Sequence, residues 1–75
     1  MAKRKDALLS SFGWRVKHLR EGKDWTQETL AERAALDRSY IAGIEAGLRN
    51  PSVKAAAKLA RGLDMTLAEL FEHVK

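Results

Sequence analysis

The stretch TQETLAERAALDRSYIAGIEAG, Thr26 to Gly47, decides the fold. It reads as two short amphipathic helices, about 27–34 and about 38–46, joined by a turn of three or four residues. Leu30, Ala31, Ala34, Leu36, Ile41 and Ile44 recur at helical spacing and face inward. Ala31 is small, as a second helix crossing close above it requires. Arg38, Ser39, Tyr40 and Ala42 then fall on the outer side of the second helix, near its N-terminal end. Two helices locked at a steep angle, the second presenting polar tips, form a helix-turn-helix. An α-helix with its side chains is about as wide as the major groove of B-DNA, so the motif implies duplex reading.

The flanks extend the same helical pattern. Thr26 is placed to cap the first of the two helices, with Glu28 in the first turn where the helix dipole favours an acid. Trp25 and Leu30 have the spacing of a hydrophobic staple. Asp37 is expected to cap the second helix and Gly47 to end it. Upstream, Phe12, Val16 and Leu19 repeat on a helix from roughly Ala7 to Glu21, capped by Asp6 and broken by Gly22, Lys23 and Asp24. Downstream, Leu48 to Pro51 form a loop. Ser52 caps a fourth helix carrying Val53, Ala56, Ala57, Leu59, Ala60 and Leu63. Thr66 opens a fifth helix with Glu69 in a capping box and an apolar side of Leu67, Leu70, Phe71 and Val74. The chain therefore reads as all-α, with a basic tail at 1–6 and one domain at 7–75.

Composition narrows the function. Seventy-five residues make a single small domain. The sequence has no cysteine, which removes disulfides and thiolate metal sites. No apolar run approaches the roughly 20 residues of a membrane span, and the N-terminus lacks the apolar region of a secretion signal. The expectation is a cytoplasmic protein with no membrane contact. Net charge is +4, but unevenly placed: residues 1–24 carry seven basic and three acidic side chains, whereas 25–50 carry three and four. The central motif is thus not itself basic, and attraction to phosphate must come from a few placed cations and helix N-termini. His18 and His73 stand alone, and no metal-ligand or nucleophile spacing is present, so neither an enzyme nor a cofactor is expected.

Two stretches carry a resemblance to a known family. One is Phe12-Gly13-x-Arg15-Val16-x-x-Leu19-Arg20, followed by Trp25-Thr26-Gln27-x-x-Leu30-Ala31. The other is Arg38-Ser39-Tyr40-Ile41-x-x-Ile44-Glu45-x-Gly47-x-Arg49-Asn50-Pro51-Ser52. Together they resemble the Cro/C1-type (XRE-like) helix-turn-helix domain of phage repressors and bacterial regulators, over about residues 10–72. The resemblance implies a compact five-helix, lambda-repressor-like fold. Within the family, LDRSYIAGIE with RNPS is similar to the controller proteins of restriction–modification systems, single-domain dimers on palindromic operators. The resemblance also implies a structural ion pair between Arg20 and Glu45. Two positions depart from the family pattern: Ala35 stands where the turn commonly has glycine at positive φ, and Ala56 where a larger aliphatic side chain is usual.

The candidate DNA-binding residues are Thr26, Gln27, Arg38, Ser39, Tyr40, Ala42, Gly43, Arg49, Asn50 and Lys54. Gln27 opens its helix, where its amide can donate to a phosphate beside the positive end of the dipole, with Thr26 in reach. The planar fork of Arg38 suits the O6 and N7 edge of guanine, a pairing worth about 1–3 kcal/mol of discrimination. Ser39 can donate or accept at a base edge; Tyr40 offers a ring to a thymine methyl and a hydroxyl to a phosphate. Gly43 in a helix is costly and suggests close approach of its backbone to DNA, with Ala42 small for a similar reason or simply a good helix former. Arg49, Asn50 and Lys54 can clamp the sugar–phosphate backbone. Lys3, Arg4 and Lys5 could form an arm along the duplex, and Trp14 lies on the side of the first helix away from Phe12 and Val16.

One recognition helix covers too few base pairs to select a site, so a homodimer is expected, its interface drawn from Met65, Leu67, Leu70 and Val74. Double-stranded DNA and a second copy are the expected partners. A bound dimer blocks RNA polymerase or, placed upstream, offers it a contact. The alternatives are a phage-type repressor, an antitoxin-like regulator, or a helical interaction module that does not bind DNA.

Overall fold

A computed structural model of the protein describes residues 6–75. Five helices follow in order: α1 (Ala7–Gly22), α2 (Gln27–Ala34), α3 (Arg38–Glu45), α4 (Val53–Gly62) and α5 (Leu67–Leu70). No strand occurs among the described residues. Lys3, Arg4 and Lys5, the expected arm, lie outside them. No helix there is long and apolar enough to cross a membrane.

The helix starts follow from local chemistry. The Asp6 carboxylate accepts from the N–H of Leu8 and Leu9 at 2.9 and 3.1 Å. Thr26, Ser52 and Thr66 each accept from the N–H three residues on, and Glu69 returns to the Thr66 N–H at 2.8 Å to close the expected capping box. Asp37 departs from expectation: its side chain makes no cap bond. Its backbone carbonyl alone begins α3, accepting from Tyr40 and Ile41 at 3.1 Å each.

One apolar cluster holds the helices together. Phe12 and Val16 of α1, Leu30 of α2, Ile41 and Ile44 of α3, Leu59 of α4 and Leu70 of α5 are all buried in it. Trp25 packs against this cluster, as a staple should, and Arg33 lies 4.4 Å over its ring centroid. α1 lies against α3, α2 against α3 and α4, and α4 against α5. The α1–α3 crossing is close because residue 13 is glycine: a Cβ there would run into the carbonyl oxygens of Ile44 and Glu45. In the turn between α2 and α3, Ala35 keeps the left-handed conformation, φ 56° and ψ 46°, and the Leu36 N–H returns to the Ala31 carbonyl at 2.9 Å. The turn geometry is retained in spite of the Cβ, at a cost on the order of 1 kcal/mol.

α5 is shorter than its apolar pattern suggests. It is a single turn, and Phe71 caps it rather than continuing it. The carbonyls of Glu69 and Leu70, which a longer helix would direct to residues 73 and 74, instead accept from the Arg15 guanidinium of α1 at 2.8 and 3.3 Å. His73 then turns the chain at φ 67°.

Candidate nucleic-acid interface

The C-terminal end of α3 is anchored by charge and by backbone. Arg20 donates from Nε to Glu45 Oε2 at 2.7 Å and from Nη2 to Oε1 at 3.0 Å. Its Nη1 donates to the Trp25 carbonyl at 2.6 Å. The Glu45 side chain is only 3% exposed, and a carboxylate so buried requires this bidentate partner. The Arg20 pKa is raised, first by the hydrogen bond to Glu45; burial pulls the other way and the remaining charges add to the rise. The ion pair that the resemblance implied is therefore present, and it ties α1 to the end of α3. Gly47 completes the anchor. At φ 75° it lets its own N–H return to Ile44 at 3.0 Å and that of Leu48 to Gly43 at 2.9 Å, the Schellman arrangement.

The N-terminal end of α3 carries the opposite design. Arg38 and Ser39 are exposed, while Tyr40, Ala42 and Gly43 are half-buried. Tyr40 leans on the core cluster and the Arg49 guanidinium lies 5.5 Å from its ring centroid. Arg38 borders an open recess of about 530 Å³ that it shares with Arg20, Thr26, Gln27 and Glu28. Folding thus brings Arg38 beside the N-terminus of α2, where first-turn N–H groups have no carbonyl of their own helix to meet. An anion seated there would face the Arg38 guanidinium and the positive end of α2, with the Glu28 carboxylate also on the wall and the Arg20 guanidinium already committed to Glu45 and Trp25.

Two candidates in this region make hydrogen bonds within the chain. The Gln27 amide does not project freely: Nε2 donates to Glu45 Oε1 at 3.0 Å. That bond orients the amide and uses one of its two N–H donors, leaving the other for the phosphate contact expected of it. Thr26 is engaged in capping, accepting from the Thr29 N–H at 3.1 Å and sharing a hydrogen bond with the Thr29 hydroxyl at 3.0 Å.

Arg49 and Asn50 are exposed in the loop after α3, and Lys54 is exposed in the first turn of α4. Asn50 does not stand with Arg38. It lines a separate apolar groove of about 210 Å³, whose walls include Leu8, Phe12, Val53, Leu67, Phe71 and Val74. This groove bears on the expected dimer interface. Leu70 is wholly buried, which removes it from any interface and corrects that expectation: α5 turns its one fully inward position at 70 into the core. Met65, Leu67 and Val74 are half-buried and packed against the core, and Met65 lies off the groove.

The larger exposed apolar side chains were not among the expected interface residues. Val53 is 79% exposed and Phe71, stacked on Phe12 at 5.0 Å, is 45% exposed. Both continue a helical apolar series in the sequence, so spacing alone assigns them inward. Val53 stands first in its helix and Phe71 just past the last turn of α5. Positions at a helix end overrun the core that the middle of the helix fills. Ala56, where a larger side chain is usual, is buried against the same groove. Trp14 is 63% exposed and stacks on His18 at 4.8 Å.

The sequence pattern of the helix-turn-helix family matches residues 16–70. The chain belongs to the helix-turn-helix family. Among its relatives, this helix-turn-helix chain is 43% identical over 65 residues to the control protein C.MunI from a Mycoplasma species, covering 85% of this chain and 88% of that one. The crystal structure of the restriction–modification controller protein C.AhdI from Aeromonas hydrophila is similar at a TM-score of 0.81 and 49% identity, over 84% of this chain and 96% of that one. The controller protein C.Esp1396I, solved as a tetramer on its natural 35 base-pair operator, is similar at a TM-score of 0.82 and 39% identity, over 89% of this chain and 88% of that one.

Proposed function

We propose that this protein is a homodimeric transcriptional regulator that reads a palindromic operator, and that it serves as the controller protein of a restriction–modification system. The observation that carries the reading is the uncovered N-terminal half of α3, where Arg38 and Ser39 are exposed beside the recess at the start of α2. Likeness to controller proteins over most of their length, one of them solved on its operator, supports it.

Arg38 is the base reader in this scheme, Ser39 and Tyr40 its neighbours on the groove side, and Arg49 and Lys54 contacts to the sugar–phosphate backbone. The N–H groups at the start of α2, with the second N–H of the Gln27 amide beside them, receive a phosphate. Two copies meet through the groove face, with Leu67 and Val74 joined by Val53, Phe71 and Leu8. That pairing sets two recognition helices into successive grooves about 34 Å apart. A dimer lying across a promoter excludes RNA polymerase, and one bound upstream offers it a contact.

Selection of bound duplexes from a random pool tests this directly. The enriched consensus should be a palindrome, and the affinity for it should fall steeply as salt rises. A consensus without two-fold symmetry would remove the dimer. Absence of any enriched duplex would leave a helical interaction module in its place.

A further inference from the structure

Gly43 lies in the middle of α3, where glycine is a poor helix former. Close approach to DNA is one explanation, but the folded chain supplies another occupant for the space. A methyl group built on Gly43 would stand 2.5 Å from Cγ of Arg49 and 3.6 Å from its Cβ. The stem of the loop arginine thus lies across the helix where a side chain at 43 would be.

Three further observations hold it there. The Gly43 carbonyl accepts from the N–H of both Leu48 and Arg49, at 2.9 and 3.2 Å. Gly47, at φ 75°, reverses the chain so that the loop can return. The guanidinium then reaches 5.5 Å from the Tyr40 ring centroid, and Tyr40 is the neighbour of Gly43 on one helix face, three residues before it.

We propose that Gly43 is a seat for Arg49. The missing side chain lets an arginine from outside α3 lie along the helix and present its guanidinium beside Tyr40, aimed at a backbone phosphate. The need for such a loan is visible in the composition of α3, RSYIAGIE. It has one cation of its own, Arg38, and one acid, Glu45, already neutralised by Arg20. Gly43 is then a positioning residue, and its effect on DNA passes through Arg49. This inference rests on the DNA-reading function proposed above.

A double-mutant cycle on the duplex enriched by the unaltered chain tests it, using Gly43→Ala, Arg49→Ala and the pair together. Gly43→Ala should weaken binding roughly tenfold when Arg49 is present and change nothing when Arg49 is already alanine. Each single change should lower the salt slope of affinity by about 0.9, the signature of one lost phosphate contact. With Arg49 already alanine, Gly43→Ala should leave the melting temperature unchanged or raise it, because alanine favours the helix.

An equal loss in both backgrounds would mean that the glycine backbone itself approaches DNA. That outcome, an unchanged affinity, or a drop in melting temperature when Gly43→Ala is made on Arg49→Ala overturns the seat while leaving the proposed function standing. If the unaltered chain enriches no duplex at all, the function reading fails first and the seat falls with it.

Discussion

At its C-terminal end α3 is held by Arg20 and Gln27 on Glu45, by the crossing at Gly13 and by the turn at Gly47; at its N-terminal end Arg38 and Ser39 stand in solvent and Asp37 makes no side-chain cap bond. The anchored end buries a charge, which is costly without a partner and so permits one arrangement only. The exposed end has nothing of its own chain to satisfy, so its side chains are available to a ligand. Stability should therefore respond to the buried contacts at Gly13 and Glu45, and recognition to the exposed Arg38 and to the seat of Arg49 at Gly43.

The largest effect is expected from Arg20→Ala. It leaves the Glu45 carboxylate buried without its partner, a loss of about 3–5 kcal/mol that a small domain can scarcely bear. Urea unfolding should show it, and a loss below about 1 kcal/mol would mean that Glu45 simply swings into water. The Arg20 pKa is raised on folding by its bond to the Glu45 carboxylate, so its contribution is complete at neutral pH and is lost as pH climbs past the ordinary guanidinium range. Next comes Gly13→Ala, whose methyl meets backbone oxygens that cannot move aside. It should cost about 1–3 kcal/mol as overpacking, read as a lower melting temperature.

At the other end, Arg38→Ala should leave unfolding within about 0.5 kcal/mol of the unaltered chain. Its operator affinity should fall by about 1–3 kcal/mol, with sequence preference relaxed at one position of each half-site. A uniform loss across all sequences would reassign Arg38 to a phosphate. The smallest contrast lies between two caps. Thr26→Ala removes a hydrogen-bonded cap and should cost about 1 kcal/mol, whereas Asp37→Ala should cost no more than about half of that. Equal costs would show that Asp37 caps α3 in solution.

Much of this architecture was legible in the residues. The caps at Asp6, Thr26, Ser52 and Thr66, the staple at Trp25 and the helix stop at Gly47 lie within a few positions of the groups they serve. The exposed Arg38 and Ser39 follow from the same periodicity. Other features depend on partners far along the chain. Gln27 meets Glu45 across eighteen positions, and Arg15 ends α5 from fifty-four away. Neither residue type nor spacing signals those contacts. Helix ends were the other weak point: Val53 and Phe71 continue an apolar period but lie beyond the core, while Leu70 on the same stripe is wholly inside.

What the chain of residues settled alone is a bundle of short helices with one polar helix end, because caps, turns and amphipathic faces are set by neighbours in sequence. Three-dimensional packing decided which polar groups turn inward on one another, how far α5 runs, which apolar faces remain open, and that an arginine of the loop lies across Gly43. Those outcomes depend on distances between segments, and a distance between segments exists only once the core has formed.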